Sequence, residues 1–387
     1  MLGTYSFPTT IRFGPSACQE LAATLASLDI QRPLIVTDKD VVNLPWFADI
    51  EALVPNSTTF SGVWGNPVVS QVEAGRDDYA NCEADGIVAV GGGAPMDVAK
   101  AIALLTNHPG HLFDYEDGAS TRPINQAIPA IVAIPTTAGT GSEVGRSAVI
   151  SDDETHAKKI IFDPQLLPKV VLADPKLLIG LPAKITAATG MDALTHLIEA
   201  FLAKGENPLC DGIALEGIYL ISQHLKNSVW FAQQLAAGEK VDEAAHLQAR
   251  SGMLNASMMG AIAFQKGLGV THSCAHALST VCNTHHGLAN GVMLPAAMRF
   301  NLEAVPEKFA RMARAVGLNS EGEAFIDWIV ELSEAIGLPD SLSKLGVSSE
   351  TLAQLVSVAV ADACHPFNPK PVTEEDFYAI YQDALAA

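Results

Sequence analysis

Two segments of the chain concentrate side chains that bind metal ions. In GMDALTHLIEA, Asp192 and His196 stand four residues apart, so on a helix both project from one face. In GLGVTHSCAHALSTVCNTHHGLANG, His272, His276, His285 and His286 follow one another closely, and these two segments hold five of the 11 histidines. A single Asp/His pair is most often a helix-surface hydrogen bond. A carboxylate with several imidazoles in otherwise apolar sequence is costly to bury without a cation, and the set suits Fe²⁺ or Zn²⁺. Spacing alone does not choose which imidazoles coordinate. His108, His111, His156, His224, His246 and His365 stand apart and read as surface or incidental.

A second chemistry is written in glycines. GIVAVGGGAPMDVAKAI reads as a strand, a glycine turn and a helix start. Gly91, Gly92 and Gly93 let backbone N–H groups approach an anion, and the N-terminus of the helix holding Asp97 and Lys100 turns its positive end towards it. The pattern is not the GxGxxG fingerprint, and no acid sits at a strand end about 20 residues on. Asp38, ending the strand-like LIVTD, is placed to accept from an adenosine ribose and to repel a 2′-phosphate. A second loop, IPTTAGTGSEV, sets the hydroxyls of Thr136, Thr137, Thr140 and Ser142 around Gly139 and Gly141. Such turns are common singly; two of them at strand C-termini mark a nucleotide site in an open α/β sheet.

The elements that must position these residues change in kind along the chain. LIVTD, GIVAV, AIVAIPTT and VVLADP alternate with amphipathic stretches, which predicts a parallel sheet covered on both faces. From about residue 182 the apolar period becomes 3.6, which predicts helices. The division expected is 1–181 as an α/β dinucleotide-binding domain and 182–387 as a helical metal- and substrate-binding domain. Thr373 before Glu374, Glu375 and Asp376 predicts the N-cap of a last helix. Lys and Arg number 23 against 43 Asp and Glu, a formal charge of −20. That surface repels phosphate backbones and anionic lipid, so neither nucleic acid nor membrane is expected as a partner. Six cysteines without a CxxC pair read as reduced thiols, and the N-terminus lacks the pattern of a signal peptide, so the expected location is cytoplasmic.

GGGAPMDVAK, IPTTAGTGSEV, LPAKITAATGMDALTHLIEA, HSCAHALS followed by HHGLANGVMLP, and DACHPFNPK together resemble the iron-containing (group III) alcohol dehydrogenases, of the lactaldehyde reductase and propanediol dehydrogenase kind. The resemblance runs over nearly all of the chain. It implies an α/β N-terminal domain with a parallel nucleotide-binding sheet and an all-α C-terminal domain, a dehydroquinate synthase-like architecture. It also implies hydride transfer between NAD(H) and a small alcohol or aldehyde, with one divalent metal, Fe²⁺ ahead of Zn²⁺. Carried over by position, the ligands are Asp192, His196, His272 and His286, while His276 is a catalytic residue near the substrate and His285 falls where the family varies. Asp38 matches the position favouring NAD over NADP. Asn66, Gly92, Gly93, Ala94, Asp97, Thr136, Thr137, Thr140 and Lys158 match positions around the dinucleotide, and Ser147 and Cys364 the substrate end. Ala94 replaces the usual serine, and Ser279 a frequent glycine. Arg146 is a candidate contact for a substrate carboxylate. A homodimer is implied as well. The alternative on the same scaffold, a metal-dependent lyase or cyclase of the dehydroquinate synthase type, needs a basic pocket, and Lys266 is the nearest cation in sequence to the histidines.

Overall fold

Residues that are apolar without alternation end up at the centre of a sheet. In the computed structural model, which describes residues 6–7, 9–318 and 322–386, β1 (Thr10–Phe13), β2 (Pro33–Asp38), β3 (Thr58–Val63), β4 (Gly86–Gly91), β5 (Ile131–Pro135) and β8 (Val170–Ala173) pair in parallel in the order β1-β8-β5-β4-β2-β3. Helices α1 (Leu21–Ser27), α2 (Phe47–Ala52), α3 (Val69–Asn81) and α4 (Gly93–Asn107) fall between the earlier strands, and β6 (Ser147–Ser151) pairs antiparallel with β7 (Lys158–Phe162). Every residue of β4 and β5 is buried. Each Val or Ile there contributes about 1.5–3 kcal/mol relative to exposure, which fixes the sheet from its middle outward. The register Ile35↔Val88↔Val132 runs through that middle. The edge strands β1 and β3 and the β6–β7 hairpin escaped the sequence reading because they are partly exposed and carry polar residues.

The chain divides into two compact units, one of Phe7–Thr137 and Gly141–Leu178, the other chiefly the helices after Ile179, with Ala138–Thr140. The helical unit contains α5 (Ala183–Leu202), α6 (Pro208–Ala236), α7 (Glu243–Ala263), α8 (Val270–Cys282), α9 (His286–Leu302), α10 (Pro306–Ala315), α11 (Gly322–Ala335), α12 (Leu352–Val360) and α13 (Glu374–Ala386). Helix α5 is its axis. It packs against α6, α7 and α9 and is buried on nearly every side, its polar Asp192, His196 and Glu199 included. The last helix starts as expected: the Thr373 hydroxyl accepts from the Asp376 N–H at 3.2 Å, and Asp376 accepts from the Thr373 N–H at 2.9 Å. No described helix is long and apolar enough to cross a membrane, and all six cysteines are free thiols.

Two histidines taken for incidental prove to be structural. His108 is buried, and its Nε2 accepts from the Asn125 and Gln126 N–H groups at 3.1 and 3.0 Å, closing the loop after α4. His246 is buried on α7, and its Nε2 accepts from Arg250 Nε at 3.1 Å. The same guanidinium donates to Thr186 Oγ1 at 2.8 Å and to the Leu181 carbonyl at 3.0 Å, which anchors the start of α5. A buried imidazole that accepts from arginine must stay neutral. Burial and the Arg250 charge push its pKa down to about 4. The unfolded state takes up this proton near pH 6.5 and the folded state only near 4. The contribution is therefore complete above 6.5 and is lost as the pH falls towards 4, with a slope approaching about 1.4 kcal/mol per pH unit. His246→Gln keeps an acceptor for Arg250 and cannot titrate. Its denaturant midpoint is expected to fall less steeply than the wild type between pH 6.5 and 4; parallel pH profiles would contradict this coupling.

Candidate metal centre

Asp192, His196 and Glu199 occupy positions i, i+4 and i+7 of α5, on one face and inside the helical core. The other two candidate ligands come from α8 and α9. Helix α8 ends at Asn283 in the left-handed conformation (φ 51°), and the Ser279 hydroxyl donates to the Thr284 carbonyl at 3.0 Å. This turn starts α9 at His286. Gly287 then lies so close to the Ala188 carbonyl of α5 that a side chain there would overlap it. Close approach at this glycine brings His286 up to Asp192.

Ligand-capable atoms of Asp192, His196, His272 and His286 all lie within 4.8 Å of one another. Asp192 Oδ1 is 3.4 Å from His286 Nε2 and 4.0 Å from His196 Nε2. Donors around a tetrahedral ion at about 2.1 Å stand about 3.4 Å apart. The rings of His196 and His272 stack at 4.7 Å. Burial pushes the His196 pKa down to about 4, which keeps its imidazole in the neutral form a metal requires.

The donor chemistry can be tested within the cluster itself. Asn290 Nδ2 lies 2.7 Å from Asp192 Oδ1, 3.4 Å from His272 Nε2 and 3.3 Å from His286 Nε2. The same amide reaches the Asp192 carboxylate and two ring nitrogens, and a carboxylate with imidazole nitrogens converging on one point is the donor set that a divalent cation fits.

Glu199 fixes one of these imidazoles from behind. Its carboxylate accepts from the Gly269, Thr271 and His272 N–H groups at 2.9, 2.6 and 3.3 Å, at the start of α8, and meets His272 Nδ1 at 2.7 Å. Burial alone would raise its pKa; the His272 and Thr271 hydrogen bonds outweigh it and hold the group below the usual carboxylate range. The proton of His272 is thereby placed on Nδ1, and the Nε2 lone pair faces the cluster. Neither Glu199 nor Asn290 was singled out from sequence. Glu199 shares the face of Asp192, but its partners lie some 70 positions away.

His276, one turn beyond His272, stacks on His286 with ring centroids 5.2 Å apart, and Cys364 is buried within reach of it. His285 is the N-cap residue of α9 and lies outside the cluster. Lys266 donates to Asp211 at 2.5 Å and to the Phe201 carbonyl at 3.1 Å; it serves the C-terminal end of α5, so the basic pocket that a lyase would need is not built from it.

In the α/β unit the nucleotide candidates cluster at the C-terminal ends of β2, β4 and β5. Asp38 Oδ1 accepts from the Asp40 and Val41 N–H groups at 2.9 and 2.7 Å, and Oδ2 lies 3.5 Å from where a side chain on Gly91 would begin. Gly91 has φ +149°, and Gly92 lies against the Thr137 hydroxyl. The N–H groups of Gly93 and Ala94 open α4, the cradle an anion fits. Thr136 donates its N–H to the Gly91 carbonyl at 3.0 Å, joining the two loops. Asn66 lies in the loop after β3, and Thr140 in the short segment that groups with the helices.

Lys100, on the helix whose N-terminus is expected to face the anion, is itself buried. It donates to the Ser142 carbonyl, the Ser142 hydroxyl and the Ser147 carbonyl at 2.7, 2.8 and 2.8 Å. Asp97 accepts from Ser142 Oγ at 2.6 Å and from the Val149 N–H at 3.1 Å, with Lys158 close enough to lower its pKa against the larger effect of burial. Burial pushes Lys100 down to about 8 and Glu143 up to about 7. The Arg146 guanidinium lies over the Phe162 ring at 5.4 Å.

Comparison with known proteins places this geometry in a family. Residues 8–175 match the iron-containing alcohol dehydrogenase family, and 186–385 match the C-terminal region of the Fe-containing alcohol dehydrogenases. The chain is 37% identical to 4-hydroxybutyrate dehydrogenase of Cupriavidus necator, over 97% of this chain and 98% of that one. It is 36% identical to 1,3-propanediol dehydrogenase of Klebsiella pneumoniae, over 98% of each. The crystal structure of a 1,3-propanediol oxidoreductase superposes with a TM-score of 0.91 at 35% identity, covering 100% of both chains. The four-donor cluster and these relatives together make the chain a metal-dependent oxidoreductase that exchanges a hydride between NAD(H) and an alcohol or aldehyde. The chain belongs to the iron-containing (group III) alcohol dehydrogenase family.

Proposed function

We propose that this enzyme interconverts a small primary alcohol and its aldehyde, the substrate carrying a second oxygen function on the third or fourth carbon counted from the carbinol, as in 1,3-propanediol or 4-hydroxybutyrate. The names of two relatives support that class. The observation that carries the mechanism is the convergence of the Asp192 carboxylate with ring nitrogens of His196, His272 and His286, all within 4.8 Å of one another. In this reading Asp192, His196, His272 and His286 hold the metal, Fe²⁺ ahead of Zn²⁺. A divalent ion held there would supply Lewis acidity towards the substrate oxygen, and a bound nicotinamide would supply or take the hydride.

The chain's own residues do the rest. Asp192 would supply the carboxylate oxygen and the three imidazoles the nitrogen donors. Glu199 keeps His272 in its Nε2-coordinating tautomer. His276 takes the hydroxyl proton during oxidation and returns it during reduction, with Ser147 and Cys364 at the substrate end. Residues 1–181 hold the dinucleotide: the Gly92, Gly93 and Ala94 backbone meets the pyrophosphate, and Asp38 accepts from the ribose. Asn66, Thr136, Thr137, Thr140 and Lys158 surround the dinucleotide, while Asp97 acts through the shape of its loop. Residues 182–387 hold metal and substrate. The assembly proposed is a cytoplasmic homodimer.

Metal-free protein reloaded with Fe²⁺ or Zn²⁺ is expected to form NADH from 1,3-propanediol or 4-hydroxybutyrate; equal turnover without metal would contradict this function. Glu199→Gln is expected to weaken metal affinity about 10–100-fold in chelator competition on the metal-free protein, and an unchanged affinity would remove Glu199 from the account. Asp38→Asn keeps the acceptor for Asp40 and Val41 but removes the charge. The ratio of kcat/KM for NADPH over NADH is expected to rise about 10-fold or more; an unaltered ratio would show that another group selects the cofactor.

A further inference from the structure

We propose that Asp362 is a positioning residue that holds His276 in the one tautomer able to take the substrate proton at Nε2. This rests on the assignment of His276 as proton carrier. Asp362 lies just beyond α12, in the DACH segment, remote in sequence from α8. Its Oδ2 is 2.7 Å from His276 Nδ1. Its Oδ1 accepts from the Ser273 hydroxyl at 2.7 Å and from the Cys364 N–H at 2.8 Å. The Ser273 oxygen in turn accepts the His365 N–H at 2.9 Å, so its own proton is directed to Asp362. Two donors on Oδ1 favour the ionised form, and an ionised carboxylate can only accept at Oδ2. Burial would raise its pKa; His276, Ser273 and Cys364 outweigh that and hold it well below the ordinary range.

The consequence for His276 is a fixed proton. Nδ1 carries it, and the lone pair is left on Nε2. Stacking on His286, with 20° between the ring planes, fixes the orientation of the imidazole. In the oxidation direction the alcohol O–H bond breaks and its proton passes to His276 Nε2. The carbinol C–H leaves as hydride to NAD⁺, giving aldehyde and NADH. The imidazolium so formed faces the Asp362 carboxylate, which stabilises it.

His276, Asp362 and Cys364 also have the chemistry of a second metal site, with ligand-capable atoms within 4.8 Å. The contacts favour the hydrogen-bonded dyad. His276 Nδ1 and Asp362 Oδ2 are at 2.7 Å, closer than the roughly 3.4 Å between donors on a tetrahedral ion. The thiol of Cys364 is kept protonated by burial and by the neighbouring carboxylate.

The geometry dictates the informative substitution. In Asp362→Asn, Ser273 and Cys364 both claim the amide oxygen, which turns the NH₂ towards His276 Nδ1. The imidazole must then carry its proton on Nε2, where it cannot accept one. The expected result is a fall in kcat of about 10²–10⁴-fold, with KM and metal content within about twofold of wild type. His276→Ala is expected to lose as much, the double variant no more, and Asp362→Glu to recover part of the loss. Side-chain ¹⁵N NMR, assigned by the signals missing in His276→Ala, should show Nδ1–H in the wild type and Nε2–H in Asp362→Asn. If Asp362→Asn turns over within about threefold of wild type or keeps the Nδ1–H tautomer while His276→Ala is inactive, the role of Asp362 is overturned alone. If His276→Ala itself remains active, the proton-carrier assignment fails first. Loss of metal or of the folded state in both the Asn and Glu variants would make Asp362 part of the scaffold and overturn the proposal, as would a second equivalent of bound metal that disappears with Asp362→Asn.

Discussion

A carboxylate and three imidazoles meeting at one point dominate the helical half of this protein. Asp192, His196, His272 and His286 bring ligand-capable atoms within 4.8 Å of one another, with the Asn290 amide beside them. Burying such a set without a positive charge costs several kcal/mol. The same concentration of lone pairs becomes favourable when a divalent ion sits among them. Helix α5 has to be central, because two of the four side chains ride on it. The turn at Asn283 and the small residue Gly287 exist to bring α8 and α9 to the same point.

Behind this centre runs a recurring arrangement. Two histidines of α8, one turn apart, each present Nδ1 to a carboxylate from another part of the chain, His272 to Glu199 and His276 to Asp362. In both cases the carboxylate is held ionised by further N–H or O–H donors, so the proton stays on the imidazole and the opposite nitrogen keeps its lone pair. Tautomers, rather than ligand identity alone, separate a set of histidines from a working site. The anchoring of α5 through Arg250, Thr186 and His246 serves the same end at longer range, because any slip of α5 would carry Asp192, His196 and Glu199 with it.

Sequence made the central sheet and the helical half legible because their residues are uniformly apolar or repeat every 3.6 positions. The edge strands were invisible for the opposite reason: TIRF and TTFSGV mix exposed and buried positions over only a few residues. Residue types pointed to the histidine-rich segments, but spacing could not separate His285 from His286; the backbone turn does that. The role of Lys100 is not legible from its place after the glycines: it is buried, with three acceptors from the following loop and β6 around its ammonium. Glu199 and Asp362 were overlooked since each finds its partners far away in sequence, and nothing in their local segments distinguishes them from ordinary acids.

The most direct test of the account is X-ray absorption at the metal edge of the Fe²⁺- or Zn²⁺-loaded protein, together with metal analysis per chain. One ion is expected, with three imidazole nitrogens and at least one carboxylate oxygen at about 2.0–2.2 Å, and an imidazole count that falls to two in His196→Ala. A spectrum with fewer than three imidazoles in the wild type, or one unchanged in His196→Ala, would contradict the proposition that these four converging side chains grip a single cation.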